Sequence, residues 1–241
     1  MLYIVATPIG NLDDMTLRAV EVLRGADVIA CEDTRRTRIL LSHFEIPIPE
    51  RFISYREHQE GRAGEQLMNL LAEGKTVALC TDGGYPGVSD PGYRLIRLAV
   101  ERGVELQVIP GASAVPVALL SSGLSTSSYT FKGYPPRKPG ALARFFEEEK
   151  DKPHTLIAFE SPFRVGKTLA AALAVLGNRQ AAVCVELTKK FERVSRGYLA
   201  DLAPQFADQK IKGEVTLVFA GNNPKFSRED EEEPEPDEPS D

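Results

Sequence analysis

The chain has 241 residues, of which 42% are apolar and 27% charged, a balance that suits one large globular domain or two small ones. No apolar run approaches the ~20 residues that span a bilayer, and the chain opens on strand-like Leu2-Tyr3-Ile4-Val5-Ala6 with no charged n-region, so neither membrane segment nor signal peptide is expected. The net charge of −6 is local: the last fourteen residues hold nine acids and one base, and without them 28 bases face 26 acids, which leaves no strongly charged body to dictate a partner.

Strand-like and helix-like segments alternate in chain order. A strand over 2–6 leads to a helix near 16–24, closed by Gly25. A strand over 27–31 leads to a helix near 35–43. Pro47 and Pro49 bar a helix, and Phe52-Ile53-Ser54-Tyr55 reads as a strand. A helix over 61–73 ends at Gly74, which suits a C′ glycine. A buried strand over 76–80, a helix over 93–102 and a strand over 104–109 follow. After Pro110-Gly111 a helix runs near 113–121. A second alternation follows: strand 128–133, helix 140–150, strand 154–159, helix 163–176, strand 180–187, a short helix near 198–206 and strand 214–220. This rhythm predicts an α/β protein of two lobes, 1–112 and 113–223, with mostly parallel or mixed sheets and a cleft between the lobes. The acidic residues of 224–241 cannot bury a core, and a disordered tail is expected there. Cys31, Cys80 and Cys184 each end an apolar run and lack metal-ligand spacing; buried thiols of a cytoplasmic protein, with no metal site, are expected.

The loops after the strands carry the candidate chemistry. Thr81 to Gly92 holds four glycines, two prolines and two aspartates between a strand and a helix, longer than that connection needs. In an open α/β sheet such a loop lies where ligands bind. Thr7-Pro8-Ile9-Gly10-Asn11 is short and rigid. In Glu32-Asp33-Thr34-Arg35-Arg36-Thr37-Arg38, acids and bases alternate within one turn, and Asp33 or Thr34 also suits a helix cap. Pro110-Gly111-Ala112-Ser113-Ala114 offers small residues at a helix entry, where Ser113 also suits an N-cap. Glu160-Ser161-Pro162-Phe163-Arg164 and Glu186-Leu187-Thr188-Lys189-Lys190 place polar groups after later strands. Gly166-Lys167-Thr168 imitates the end of a phosphate-binding P-loop, and a nucleotide hydrolase is the alternative it raises. The glycine that motif requires is Ser161 here, and Pro162 intrudes. Bases cluster at Arg35, Arg36 and Arg38, at Arg137 and Lys138, and at Lys189, Lys190, Arg193 and Arg196, with Tyr134 and Phe191 among them. Interleaved cations and flat rings suit single-stranded RNA.

Taken in order, Leu2 to Leu12, Glu32-Asp33-Thr34-Arg35, Ser89-Asp90-Pro91-Gly92, Ile109 to Ala114, Glu160 to Arg164, Glu186 to Lys189 and Lys212-Gly213-Glu214 resemble the tetrapyrrole methylase superfamily. Within it they are similar to the ribosomal RNA small-subunit methyltransferase I family. The resemblance implies two α/β lobes with the ligand, S-adenosyl-L-methionine as methyl donor, in the inter-lobe cleft, homodimers, and 2′-O-methylation of a cytidine ribose in small-subunit rRNA. A methylase of a small tetrapyrrole is the alternative within the superfamily. By position the donor contacts are Pro8, Ile9, Asp82, Tyr85, Ser113, Ala114, Phe159 and Leu187. Asp33 and Glu160 are the candidate bases, and Arg35 and Lys189 the candidate phosphate or alkoxide partners. The usual Asp-Ala-Gly-Thr-Pro of the family is Asp82-Gly83-Gly84-Tyr85-Pro86 here. An acidic tail stands where many members carry a further folded segment.

Overall fold

The computed structural model describes residues 1–228. The acidic run from 229 to 241, expected as a disordered tail, lies outside the described residues. The chain divides into two compact units, residues 1–117 with 186–193, and residues 118–185 with 194 onward.

The first unit holds β1 (Leu2–Val5), α1 (Leu17–Gly25), β2 (Val28–Cys31), α2 (Thr34–His43), β3 (Arg51–Ser54), α3 (Glu60–Ala72), β4 (Val77–Cys80), α4 (Tyr93–Glu101) and β5 (Leu106–Ile109). The strands form one sheet in the order β3-β2-β4-β1-β5, and every pairing is parallel. Alternate strand residues point to opposite faces. Val5, Ile29, Cys31, Ala78, Cys80 and Ile109 pack with Ala19 and Leu23 of α1 and with Leu40 and Leu41 of α2. Leu2, Ile4, Val28, Ala30, Val77 and Leu79 pack with Leu67 and Met68 of α3 and with Leu95 and Ala99 of α4. Both faces are therefore covered, and the central strands β1, β2 and β4 read as near-continuous apolar runs, as buried parallel strands do. The chain leaves β1 toward one face and the adjacent β4 toward the other. Their carboxyl ends form a switch point, where an open α/β sheet leaves a crevice.

Helix α5 (Ala114–Ser122) begins in the first unit. The second unit holds β6 (Tyr129–Phe131), α6 (Pro139–Glu147), β7 (Thr155–Glu160), α7 (Val165–Leu176), β8 (Gln180–Val185), β9 (Arg193–Tyr198), α8 (Leu199–Ala207) and β10 (Val215–Phe219). Its sheet runs β6-β7-β10-β8-β9. β6 and β7 are parallel, but β10 lies antiparallel between β7 and β8. The sheet is thus mixed. The reason is β9, a strand the sequence does not announce. The link 186–192 is too short for a parallel crossover, so β9 reverses the chain and α8 returns it to β10. Leu156, Ala158, Val183, Val185, Leu217 and Phe219 pack under Phe146 of α6, Leu169 of α7 and Phe206 of α8. Residues 224–228 also belong to this unit. Asn223 caps a 3₁₀ turn over Pro224–Phe226, Ser227 bridges Arg179, and the Arg228 guanidinium lies 4.0 Å from the Tyr198 ring centroid.

Candidate active site at the carboxyl edge of the first sheet

Three loops that follow β1, β4 and β5 are bonded to one another. Thr7 N–H donates to Gly84 O at 3.0 Å, and Gly84 N–H donates back to Thr7 O at 2.9 Å. The Thr7 hydroxyl adds a third bond, to Thr81 O at 3.0 Å. Pro8 is buried behind this bridge and Ile9 half-buried beside it. The Tyr85 hydroxyl accepts from Gly111 N–H at 3.0 Å, which ties the β4 loop to the β5 loop just before Ser113 and Ala114. The length of the Tyr85 side chain lets it reach Gly111. Ser89 holds a φ of 63°, a strained conformation for a residue with a side chain. The Thr81 hydroxyl is buried without a hydrogen-bond partner among the described residues.

The segment after β8 completes this edge. Glu186 to Arg193 groups with the first unit although β8 lies in the second sheet. Glu186 and Thr188 both have positive φ, 53° and 65°, so the backbone turns sharply twice. That turn seats Thr188 against Asn11, whose N–H donates to the Thr188 hydroxyl at 3.2 Å. Leu187 is buried, and Lys189 Nζ pairs with Glu186 at 2.7 Å. Gly10 lies beneath this turn. A Cβ there would strike Lys189 Cγ and lie 2.8 Å from the Thr188 hydroxyl and 3.0 Å from Leu187 O. Only glycine permits so close an approach.

Asp82 is the electrostatic centre of the edge. Its Oδ1 accepts from Asp33 N–H at 3.2 Å, and its Oδ2 pairs with Arg36 at 3.0 Å. Asp33 caps α2: its carboxylate accepts from Arg35 N–H at 2.8 Å and from two guanidinium nitrogens of Arg35, at 3.1 and 2.7 Å. That bidentate pair holds the Asp33 carboxyl far below the usual carboxylate range, and the arginine rises in turn. Glu32, adjacent in sequence, moves the other way. Burial pushes its carboxyl up, and the Asp82 charge beside it adds to the rise. Glu32, Asp33, Arg35, Arg56, Glu60 and Asp82 line an open cavity of about 790 Å³. Glu60 braces its far wall by accepting from Gly92 N–H at 2.8 Å.

The structure thus gathers Pro8, Ile9, Asp33, Arg35, Asp82, Tyr85, Ser113, Ala114, Leu187 and Lys189 into the first unit. Phe159 and Glu160 belong to the second. Phe159 sits edge-on between Phe131, at 4.7 Å, and Tyr134, at 5.7 Å between ring centroids. Glu160 is 2% exposed, and its oxygens are taken by Ser161 N–H at 2.6 Å, by the Thr168 hydroxyl and by Arg164 at 3.4 Å. A carboxylate so engaged fixes the 161–164 turn. Glu32 is the residue that the sequence reading passed over. Its signal was present, an acid at a strand's end beside Asp33, but only the desolvation of Glu32 and the Arg35 pair on Asp33 separate the two.

The P-loop imitation dissolves in the structure. Gly166 and Thr168 lie inside α7, and Lys167 is exposed on it. A Cβ at Gly166 would lie 2.5 Å from Phe206 O, so this glycine admits α8. Cys31 and Cys80 face each other in register on β2 and β4, and burial pushes the Cys31 thiol up to about 11. No group of His, Cys, Asp or Glu suited to a metal ion occurs among the described residues, and none of their helices is long and apolar enough to cross a membrane.

A doubly covered parallel sheet with glycine- and proline-rich loops at its switch point, joined to a second mixed α/β unit, defines the architecture of the tetrapyrrole methylases. Cobalt precorrin-4 methyltransferase shares it, with a TM-score of 0.68 at 18% identity over 91% of this chain and 94% of that one. The tetrapyrrole (corrin/porphyrin) methylase family matches residues 1–203, and the chain belongs to that family, in its ribosomal RNA small-subunit methyltransferase I branch. A relative of that name from Halalkalibacterium halodurans is 45% identical over 229 residues, 95% of this chain and 78% of the relative. Another, from Mesorhizobium japonicum, is 47% identical over 218 residues, 90% of this chain and 74% of the relative.

Proposed function

We propose that the chain transfers a methyl group from S-adenosylmethionine to the 2′-hydroxyl of a cytidine ribose in small-subunit ribosomal RNA, and that it works as a homodimer. The observation that carries this reading is the 45% identity, over 95% of the chain, to a relative named for small-subunit rRNA methyl transfer. The first-sheet edge suits the donor. Gly111, Ser113 and Ala114 are small and half-buried, which lets a ligand approach their backbone, and Asp82 and Glu32 set carboxylates near a site that would hold a sulfonium cation. Pro8, Ile9, Asp82, Tyr85, Ser113, Ala114 and Leu187 would hold that donor, with Phe159 a further contact that the family resemblance implies.

The donor supplies an activated methyl and its own leaving group, so the reaction itself asks for no metal. The protein's tasks are to align the ribose oxygen and to accept its proton. Asp33 is a weak base because Arg35 holds it ionised. Glu32 is the better acceptor: it lines the cavity, and its raised pKa brings its basicity nearer neutral pH. Arg35, steadied by Asp33, would hold a phosphate or favour the alkoxide, and Lys189 would do so from the 186–193 turn. Glu160 would shape the second-unit loop rather than move a proton.

The test is a radiolabelled-methyl assay with three acceptors: purified small subunits from cells lacking the enzyme, the same subunits already methylated, and a porphyrinoid. The reading expects label only in the unmodified subunits. Label in the porphyrinoid, or in no acceptor, would refute it. Sedimentation equilibrium checks the dimer.

A further inference from the structure

The second unit carries a pocket of about 570 Å³ lined by Tyr134, Pro135, Pro136, Arg137, Ser161, Phe163 and Arg164, with Glu160 at its floor. Its construction points to a flat, anionic guest. Two aromatic rings flank it in water: Phe163 is 88% exposed and Tyr134 61%. Two exposed rings lining one pocket form an apolar patch rather than scattered single residues, and such patches mark interaction sites. Each is held from behind. Tyr134 rests edge-on against Phe159 at 5.7 Å. Phe163 follows Pro162 in a turn fixed at both ends, because Glu160 accepts from Ser161 N–H and Arg164 N–H donates to Ser161 O.

Arg164 joins the two sides. Its guanidinium donates to Pro135 O at 3.1 Å and Pro136 O at 2.7 Å. The pocket's shape is therefore set before any guest arrives. Arg137 lines the pocket and Lys138 follows it in the chain; both are exposed and form no ion pair with any carboxylate among the described residues. Aromatic faces stack on any nucleobase, and unpaired cations attract the phosphates on either side. Protein partners do not need this pairing of flat walls with uncompensated positive charge.

We infer that this pocket binds an unstacked base of single-stranded RNA, with Tyr134 and Phe163 as the stacking faces and Arg137 and Lys138 on the flanking phosphates. It rests on the reading that RNA is the acceptor, and adds where a nucleotide next to the target is gripped. The pocket's lining residues belong to the second unit and those of the Asp82 cavity to the first.

The test measures binding of the full chain to fluorescein-labelled oligocytidylate, with duplex RNA as control, across a salt series. Phe163→Ala and Tyr134→Ala should each weaken oligocytidylate binding about tenfold and leave the salt slope unchanged, because stacking is not ionic. Phe163→Trp should restore binding. Arg137→Ala should reduce the slope by about 0.7, one phosphate on a single strand. Phe163 is on the surface, so its loss does not threaten folding, and donor calorimetry on each variant confirms an intact first unit. Changes below twofold in both aromatic variants would overturn the inference. So would equal losses on duplex and single strand. Methyl transfer to small subunits is read separately: failure there with normal oligocytidylate binding would count against the functional reading and not against the pocket.

Discussion

Gly10→Ala is the sharpest probe of how the edge is assembled. The added methyl would meet three atoms of the 186–193 turn. Lys189 Cγ can swing aside by changing rotamer, but that breaks the 2.7 Å pair with Glu186. The pair is partly exposed, and such pairs contribute about 0–1 kcal/mol. Leu187 O, at 3.0 Å from the new Cβ, is backbone and must itself retreat by a few tenths of an ångström. That would strain a turn already holding positive φ at Glu186 and Thr188. Overpacking of this kind costs roughly 1–3 kcal/mol. Urea denaturation should show that loss as a lower midpoint at constant m-value. The loop moved by the substitution carries Leu187, and the loop it grows from carries Pro8 and Ile9. Calorimetry should therefore show donor affinity falling about tenfold, equivalent to ~1.4 kcal/mol. A variant with wild-type midpoint and wild-type donor affinity would show that the 186–193 turn does not rest on Gly10.

Glu32→Gln should slow single-turnover methyl transfer by about 10²–10⁴-fold, while Asp33→Asn, which loosens Arg35, should cost less. In the wild type the rate should fall as pH drops through the Glu32 pKa, raised above the ordinary glutamate range, because the base must be ionised, and Glu32→Gln should lose that limb. Asp33 has the opposite sign. The stability it lends is present above the ordinary carboxylate range and lost as pH falls through its depressed value, so Asp33→Asn should flatten the acid limb of a stability profile. Thr168→Val leaves a buried oxygen of Glu160 without its hydroxyl donor and should destabilise by about 1–3 kcal/mol in urea, with Thr168→Ser close to wild type. Tyr85→Phe removes the acceptor of Gly111 N–H and should cost about 1 kcal/mol, read as a weaker donor affinity and a lower midpoint.

Much of the first unit was legible because its strands are buried on both faces. Val77 to Cys80 and Val28 to Cys31 are apolar throughout, and Asp33 caps its helix as its position suggests. The second sheet was less legible. Arg193-Val194-Ser195-Arg196-Gly197-Tyr198 is an edge strand with no fully buried residue, so it lacks the pattern that would reveal it. Missing it hid the reversal that makes β10 antiparallel. The site loops could be found from glycine and proline content, but their mutual bonds could not. Nothing local says that Tyr85 reaches Gly111, or that Thr188 sits on Asn11. The roles of Glu32 and Asp33 separate only through burial and through Arg35, which are tertiary facts.

Nucleotide-resolution mapping of ribose methylation, on small-subunit RNA from cells with and without the gene and on RNA treated in vitro with the purified chain, tests the account most directly. The account predicts one cytidine whose 2′-oxygen gains a methyl only when the chain is present, and loses it with Glu32→Gln. A methyl on a base, or identical maps with and without the protein, would contradict it.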